Sequence, residues 1–224
     1  MTADINLQTA SSVTKTFAVA LAVIGIGVGA VHWLTLGFSA WTTEAARRLT
    51  WESYPGHVPA VVVEGPGLSA QPLPALFLTG DDPTLVDFVY TNCESVCSAL
   101  GSVFQRAQSA VEKGQRIRLL SISFDADRDD VATLEAYAKK LEAESRFWRF
   151  ARVLEPSRQR ELLDAFGITV RPDGRGGFEH NAALLVVDPN AQIVRAFDYD
   201  DLDAALSFAK SVRRSASAQN RYER

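Results

Sequence analysis

A chain of 224 residues with 47% hydrophobic and 22% charged residues has enough apolar material for one globular domain and some extra segments. Its formal net charge of −4, with no long basic stripe, argues against nucleic acid as a partner. Two cysteines are too few for a disulfide scaffold but enough for one redox or metal site.

Residues 16–38, TFAVALAVIGIGVGAVHWLTLGF, contain no Asp, Glu, Lys or Arg. About 20 apolar residues suffice to cross a bilayer as a helix. The run is longer than the roughly 7–15-residue core of a signal peptide, although Val28-Gly29-Ala30 resembles a poor cleavage site. It is apolar on every face, unlike most helices that pack in a soluble core. Trp33 and Trp41 stand where an aromatic belt would lie, so the run reads as a single uncleaved anchor. The flanking charges, Lys15 on one side and Arg47 and Arg48 on the other, do not orient it.

Residues 39–60 read as a connector. Gly65, Pro66, Gly67, Pro72, Pro74 and Gly80 then break any long element, leaving short extended pieces at Val61–Val63 and Ala75–Leu78. From residue 85 the pattern is regular. Leu85–Tyr90 is a buried strand, and Asn92 can cap a helix that starts near Cys93 and stops at Gly114. Ile117–Phe124 is the next strand, and Asp129 or Asp130 starts a helix to about Leu141. Phe147–Val153 is a third strand, followed by a helix over 158–166 with Ser157 as its expected cap. Ala182–Val187 and Ile193–Phe197 form a hairpin around the turn Asp188-Pro189-Asn190-Ala191, and a last helix covers about 200–212. Alternating strands and helices imply a parallel sheet covered on both faces, to which the hairpin adds antiparallel strands. This is a thioredoxin-like α/β plan. The chain divides into an N-terminal tail (1–15), an anchor (16–38), a connector (39–60), the thioredoxin-like domain (61–210) and a polar, solvated tail (211–224).

The two cysteines, Cys93 and Cys97, fall at the strand-to-helix turn in YTNCESVCSA. Their spacing of four puts both on one helix face. A helix N-terminus presents free N–H groups and a positive dipole end, which favour thiolate. Two thiolates are soft ligands that suit Cu(I) or Zn(II). A four-coordinate structural zinc site wants four Cys or His ligands, and the chain has two cysteines and three histidines. His32 lies in the membrane run and His57 in the connector. His180 precedes a strand that should begin at the sheet edge where the cysteine helix starts. The best available set is therefore Cys93, Cys97 and His180, a combination acceptable to copper. Asp125 and Asp127 should lie near the same edge, as loop and cap acids.

These residues resemble a known family. DFVYTNCESVCSAL is similar to the core motif of the Sco/SenC family of copper-insertion proteins for cytochrome c oxidase: a strand ending in an aromatic residue, then Thr-x-Cys-x-x-x-Cys. LLSISFDADRDDVATLEAYAKK resembles the block that follows, FWRF its Trp-x-Phe, and FEHNAALLVVDPNAQIVRAFDY the histidine block and terminal hairpin. The resemblance covers roughly residues 85–200. It implies copper, as Cu(I) and in some states Cu(II), held by Cys93, Cys97 and His180. It also implies a domain on the periplasmic side of the cytoplasmic (inner) membrane, held by one span, and delivery of copper to the binuclear CuA site of oxidase subunit II or another copper-receiving protein. Glu94 and Ser98 stand where the family usually has proline, Ala126 replaces the proline of an Asp-Pro pair, and Asn181 replaces a serine after the histidine, which marks a divergent member. The competing function is a thiol–disulfide oxidoreductase using Cys93 and Cys97 on a copper-receiving or other extracytoplasmic protein. A general reductase usually has two residues between its cysteines and a proline where His180-Asn181 stands. A third reading is a redox or copper sensor.

Overall fold

The computed structural model describes residues 3–35, 37, 55–92 and 96–222. It separates into two units, Met1–Leu49 and Thr50–Arg224. In the first, helix α1 runs from Ala3 to Leu34. Its segment Lys15–Leu34 is long and apolar enough to cross a membrane, and none of it is buried within the protein. The helix stops before the end of the charge-free run. Gly37, with φ of 73°, donates its N–H to the His32 carbonyl at 2.8 Å, a closure that needs a left-handed residue. Trp41, Arg47 and Arg48 lie outside the described residues.

The second unit is built on an eight-stranded sheet in the order β1-β10-β9-β4-β5-β6-β2-β3. The strands are β1 (Gly56–His57), β2 (Val62–Gly65), β3 (Leu68–Pro72), β4 (Thr84–Val89), β5 (Arg118–Ser123), β6 (Trp148–Val153), β9 (Ala183–Val187) and β10 (Gln192–Asp198). A separate two-stranded ribbon pairs β7 (Val170–Pro172) with β8 (Phe178–His180). β4, β5 and β6 are parallel, and β9 and β10 are antiparallel additions beyond β4. This is the thioredoxin-like arrangement expected from the element order.

All six residues of β4, TLVDFV, are buried, because a central strand with both faces covered has no solvent side. One face packs Val86, Phe88, Tyr90, Ile122 and Phe124 against α2 (Leu73–Phe77) and α5 (Gln159–Ala165) through Phe77, Leu162 and Phe166. The other packs Leu85, Val89, Leu119 and Trp148 against α3 (Val96–Glu112), α4 (Val131–Lys140) and α6 (Leu202–Tyr222). α3 presents Leu100, Val103, Phe104, Ala107 and Val111, the helical periodicity that places it on the sheet. Asp130 caps α4, its side chain accepting from the Thr133 N–H at 2.7 Å.

Four expectations are corrected. Ala75–Leu78 lies largely in α2: Pro74 falls in the first turn, where no N–H is required, and Leu73, Leu76 and Phe77 are buried at helical spacing. Residues 62–72 form a β2–β3 hairpin through Pro66-Gly67, with Gly67 at φ of 65°. A side chain at Gly65 would collide with the Phe150 carbonyl of the adjoining strand β6, so glycine lets β2 approach β6. Ser157 sits inside a 3₁₀ turn, Pro156–Arg158, and caps nothing; α5 starts at Gln159. α6 continues to Tyr222, so the segment expected to be a solvated tail from residue 211 is helical.

Candidate metal centre

The sheet topology decides which predicted residues meet. β4 runs toward the cysteine turn. β9 is antiparallel to it, with Thr84 opposite Val187 and Val86 opposite Leu185. The start of β9, three residues after His180, therefore lies at the end of the sheet where β4 exits. His57 is opposite Gln192, beside the β9–β10 turn at the other end of the sheet, and is not a partner for this site. His32 belongs to α1. Cys93 lies outside the described residues. Cys97 is the second residue of α3, within the helix expected to start near Cys93, a start that itself lies outside the described residues.

His180 is the last residue of β8, not part of a bare loop, and lies opposite Val170. Its ring packs on Phe124 at 4.9 Å between centroids. Phe124 follows β5 and donates its backbone N–H to the Val89 carbonyl at the end of β4, 3.0 Å away. Tyr90, Phe124 and Phe178 complete an aromatic shelf, each pair 5.2–5.7 Å apart. The Tyr90 hydroxyl accepts the Phe178 N–H at 3.3 Å, which ties the residue after β4 to the ribbon. Two partly exposed strands can be held in place this way because most of their fixed contacts are to rings on the sheet.

His180 Nδ1 lies 3.3 Å from the Asn181 carbonyl oxygen. A carbonyl only accepts, so this contact requires the proton on Nδ1. Burial lowers the His180 pKa, partly offset by that carbonyl, so the ring favours its neutral, metal-ligating form. Asn181, the residue in place of the family's serine, accepts the Thr169 N–H at 2.7 Å and donates to the Gly167 carbonyl at 3.1 Å. It fastens the entry of β9 to the segment before β7.

The acids of the DADRDD block have separate tasks. Asp127 is exposed. Asp125 is buried and pairs with Arg128 at 2.5 Å. Desolvation raises the Asp125 pKa against the pull of Arg128. Arg128 also donates to the Gly176 carbonyl at 2.8 Å and stacks over Phe178 at 5.1 Å, so this pair braces the ribbon that carries His180. Asp129 is 1% exposed and accepts three hydrogen bonds. The donors are the Thr91 N–H (3.1 Å), the Thr91 hydroxyl (2.5 Å) and the Ser123 hydroxyl (2.6 Å). It clamps the chain two residues before Cys93 to the end of β5. Asp129 appears in the sequence as a helix-start acid. The only signal for its second role is that a neighbouring acid, Asp130, already supplies the cap.

One further acid belongs to this region. Asp87, in the middle of β4, is fully buried. Neither of its carboxylate oxygens has a hydrogen-bond partner among the described residues. Burial pushes its pKa up to about 7, with Ser121 offsetting part of the effect.

The SCO1/SenC family model matches residues 79–216. The SCO1 protein homolog of Bacillus subtilis (strain 168) is 23% identical over 138 residues, which cover 58% of this chain and 72% of that protein. Among solved structures, BsSco, a Sco family cytochrome c oxidase assembly protein in which a disulfide switch was identified, matches with a TM-score of 0.62. The identity is 20%, over 71% of this chain and 95% of BsSco. Bradyrhizobium japonicum ScoI with copper bound matches with a TM-score of 0.56 at 20% identity, over 70% of this chain and 99% of that one. The structural matches establish a shared fold.

Proposed function

The chain belongs to the SCO1/SenC family, and from that premise we propose that it is a membrane-anchored copper metallochaperone for cytochrome c oxidase assembly. Cys93, Cys97 and His180 are its copper ligands in this reading. Copper is cargo, delivered to the CuA site of oxidase subunit II or to another copper-receiving protein. α1 anchors the domain as a single span of the cytoplasmic membrane, with the domain on the periplasmic side.

The observation that carries this reading is the position of His180. Its ring rests on Phe124, at the end of β5, while the adjacent end of β4 leads within a few residues to Cys93 and Cys97. Two thiolates and a neutral imidazole form a soft-to-borderline set that suits Cu(I). Thiolates are favoured at the start of α3 by the helix dipole. Asp129 holds the approach to the cysteines through Thr91, and the Asp125–Arg128 pair holds the ribbon that carries His180.

The full chain in detergent, reduced and metal-free, is expected to bind one Cu(I) per molecule in competition with a calibrated chelator. Cys93→Ser, Cys97→Ser and His180→Ala should each weaken binding by at least about tenfold, the scale on which metal sites respond to loss of a ligand or its support. Unchanged affinity in His180→Ala would refute the three-ligand site.

A second reading is favoured by the position of Cys97 in the first turn of α3. Cys93 and Cys97 also form a reversible disulfide, and the reduced pair passes electrons to a disulfide on a client protein. Copper binding and thiol exchange draw on the same thiolates.

A further inference from the structure

We propose that a cleft at the end of the sheet away from the cysteine turn is a binding site for a phosphate group. The site is independent of both readings above and shares no residue with the candidate metal centre.

The cleft lies where β4 and β5 begin and has a volume of about 80 Å³. That is several times the ~10–15 Å³ that admits one water. Thr84 and Arg118, the first residues of these two strands, stand opposite one another in parallel register, and both line it. Arg149, the second residue of β6, lines it too, with Thr79, Arg146 and Phe147. β4 runs from the cleft toward the cysteine turn, so the length of the strand, about 17 Å, separates the two ends.

The lining is cationic. Three arginines contribute to it, and no acid does among the described residues. The Arg118 guanidinium is held rigidly. Its Nη1 donates to the Leu76 carbonyl and the Thr79 hydroxyl, both at 2.7 Å. Its Nη2 donates to the carbonyls of Phe77 (2.8 Å) and Asp82 (2.9 Å). None of these acceptors carries a charge, and together they use all four terminal N–H groups. The remaining donor, Nε–H, is buried and has no hydrogen-bond partner among the described residues. The Thr84 hydroxyl is in the same condition, on a residue only 4% exposed. Two polar groups without partners on one cleft are costly unless a ligand engages them.

Charge favours an anion over water in that role. Burial lowers the Arg118 pKa, Asp82 raises it, and the nearby charge of Arg149 lowers it further. The Asp82 carboxylate pairs with Arg116 at 3.3 Å. Arg146 pairs with Glu144 at 2.6 Å and stacks over Phe147 at 4.3 Å, so its charge is partly spent. Arg118 and Arg149 therefore set the potential of the cleft, and an anion seated there relieves their mutual repulsion. A phosphate group has enough oxygens to accept from the Thr84 hydroxyl, the Arg118 Nε–H and the Arg149 guanidinium together. Free phosphate and the headgroup of an anionic phospholipid share this chemistry.

The test titrates inorganic phosphate into the full chain in maltoside micelles at constant ionic strength, followed by isothermal titration calorimetry. One saturable site is expected. Arg149→Gln should weaken it by at least about tenfold, the scale of a lost charge-assisted hydrogen bond. Arg149→Lys should recover part of that loss, because it restores the charge without the fork. Thr84→Val should also weaken binding, while the ligand-free variant unfolds at no lower temperature than the native chain, because the hydroxyl gives up no partner. Absence of saturable binding overturns the proposal, and so does binding that neither Arg149→Gln nor Thr84→Val changes. Should Thr84→Val fail to fold, as judged by circular dichroism, the exposed Arg149 decides alone. Repeating the titration in micelles doped with phosphatidylglycerol, against micelles given the same charge by a fatty acid, separates the two sources. Phosphate binding suppressed only by phosphatidylglycerol assigns the site to the lipid headgroup, and equal binding in both assigns it to phosphate in solution.

Discussion

Asp129 and Asp87 are acids of equal burial, in neighbouring regions of one sheet, with opposite surroundings. Asp129, at the end of β5, receives two donors from Thr91 and one from Ser123. Asp87, in the middle of β4, receives none of comparable quality. Burial of a carboxyl is therefore not one energetic event. Where donors replace the lost water, the group organises the chain around it; where they do not, it remains a liability whose protonation tracks pH. Asp125 stands between the two, with a single strong partner in Arg128.

The comparison can be broken most sharply at Asp87. The carboxyl is raised from its ordinary 3.8 to about 7, a gap that corresponds to about 4 kcal/mol as an upper bound. Between about pH 4 and pH 7 the unfolded chain has lost this proton and the native chain keeps it. Stability therefore falls as pH rises through that window and levels off above it. Asp87→Asn should flatten this slope, so that it is more stable than the native chain at pH 8 and nearly equal to it at pH 4. Urea unfolding of the two proteins across this range measures the difference, and a native curve without the slope contradicts the unpaired state of Asp87.

Asp129→Ala tests the other side. It strands three donors at once, one of them the buried Ser123 hydroxyl, and should cost about 2–3 kcal/mol. It should also free the chain around Thr91, seen as faster amide exchange of Thr91 in the folded protein. A loss well under 1 kcal/mol would show that Thr91 and Ser123 find other acceptors. Arg128→Ala should give the smallest effect, about 1–2 kcal/mol, because Arg128 is partly exposed while its partner Asp125 is buried. Its diagnostic consequence is local: exchange should quicken in the β7–β8 ribbon, where Arg128 holds Gly176 and Phe178, and leave β4 and β5 unchanged.

Much of this was legible in the sequence because it is local. The apolar run of β4, the stripe of α3, the Asp130 cap and the place of Cys97 in a first helical turn each follow from short-range spacing and capping chemistry. The short elements misread were those whose partner strands are distant or whose prolines admit two readings. Pro72 and Pro74 fit a helix start as well as a broken strand, and burial of Leu73, Leu76 and Phe77 selects the helix. The β7–β8 ribbon has no hydrophobic periodicity of its own, since its order comes from Tyr90 and Phe124 elsewhere in the chain.

By itself the sequence determined the class of fold, a helix that carries Cys97 and a long apolar helix near the N-terminus, and it supplied the candidate set Cys93, Cys97 and His180. These depend on residue type and on spacings of a few residues. Tertiary structure alone decided that His180 stands on Phe124, that Asp129 reaches back to Thr91, and that Asp87 has only Ser121 beside it while Asp129 has three donors. The physical reason is that hydrogen-bond satisfaction and desolvation are properties of whatever the folded chain brings alongside a group, and two identical side chains in one sheet acquire opposite energies from it.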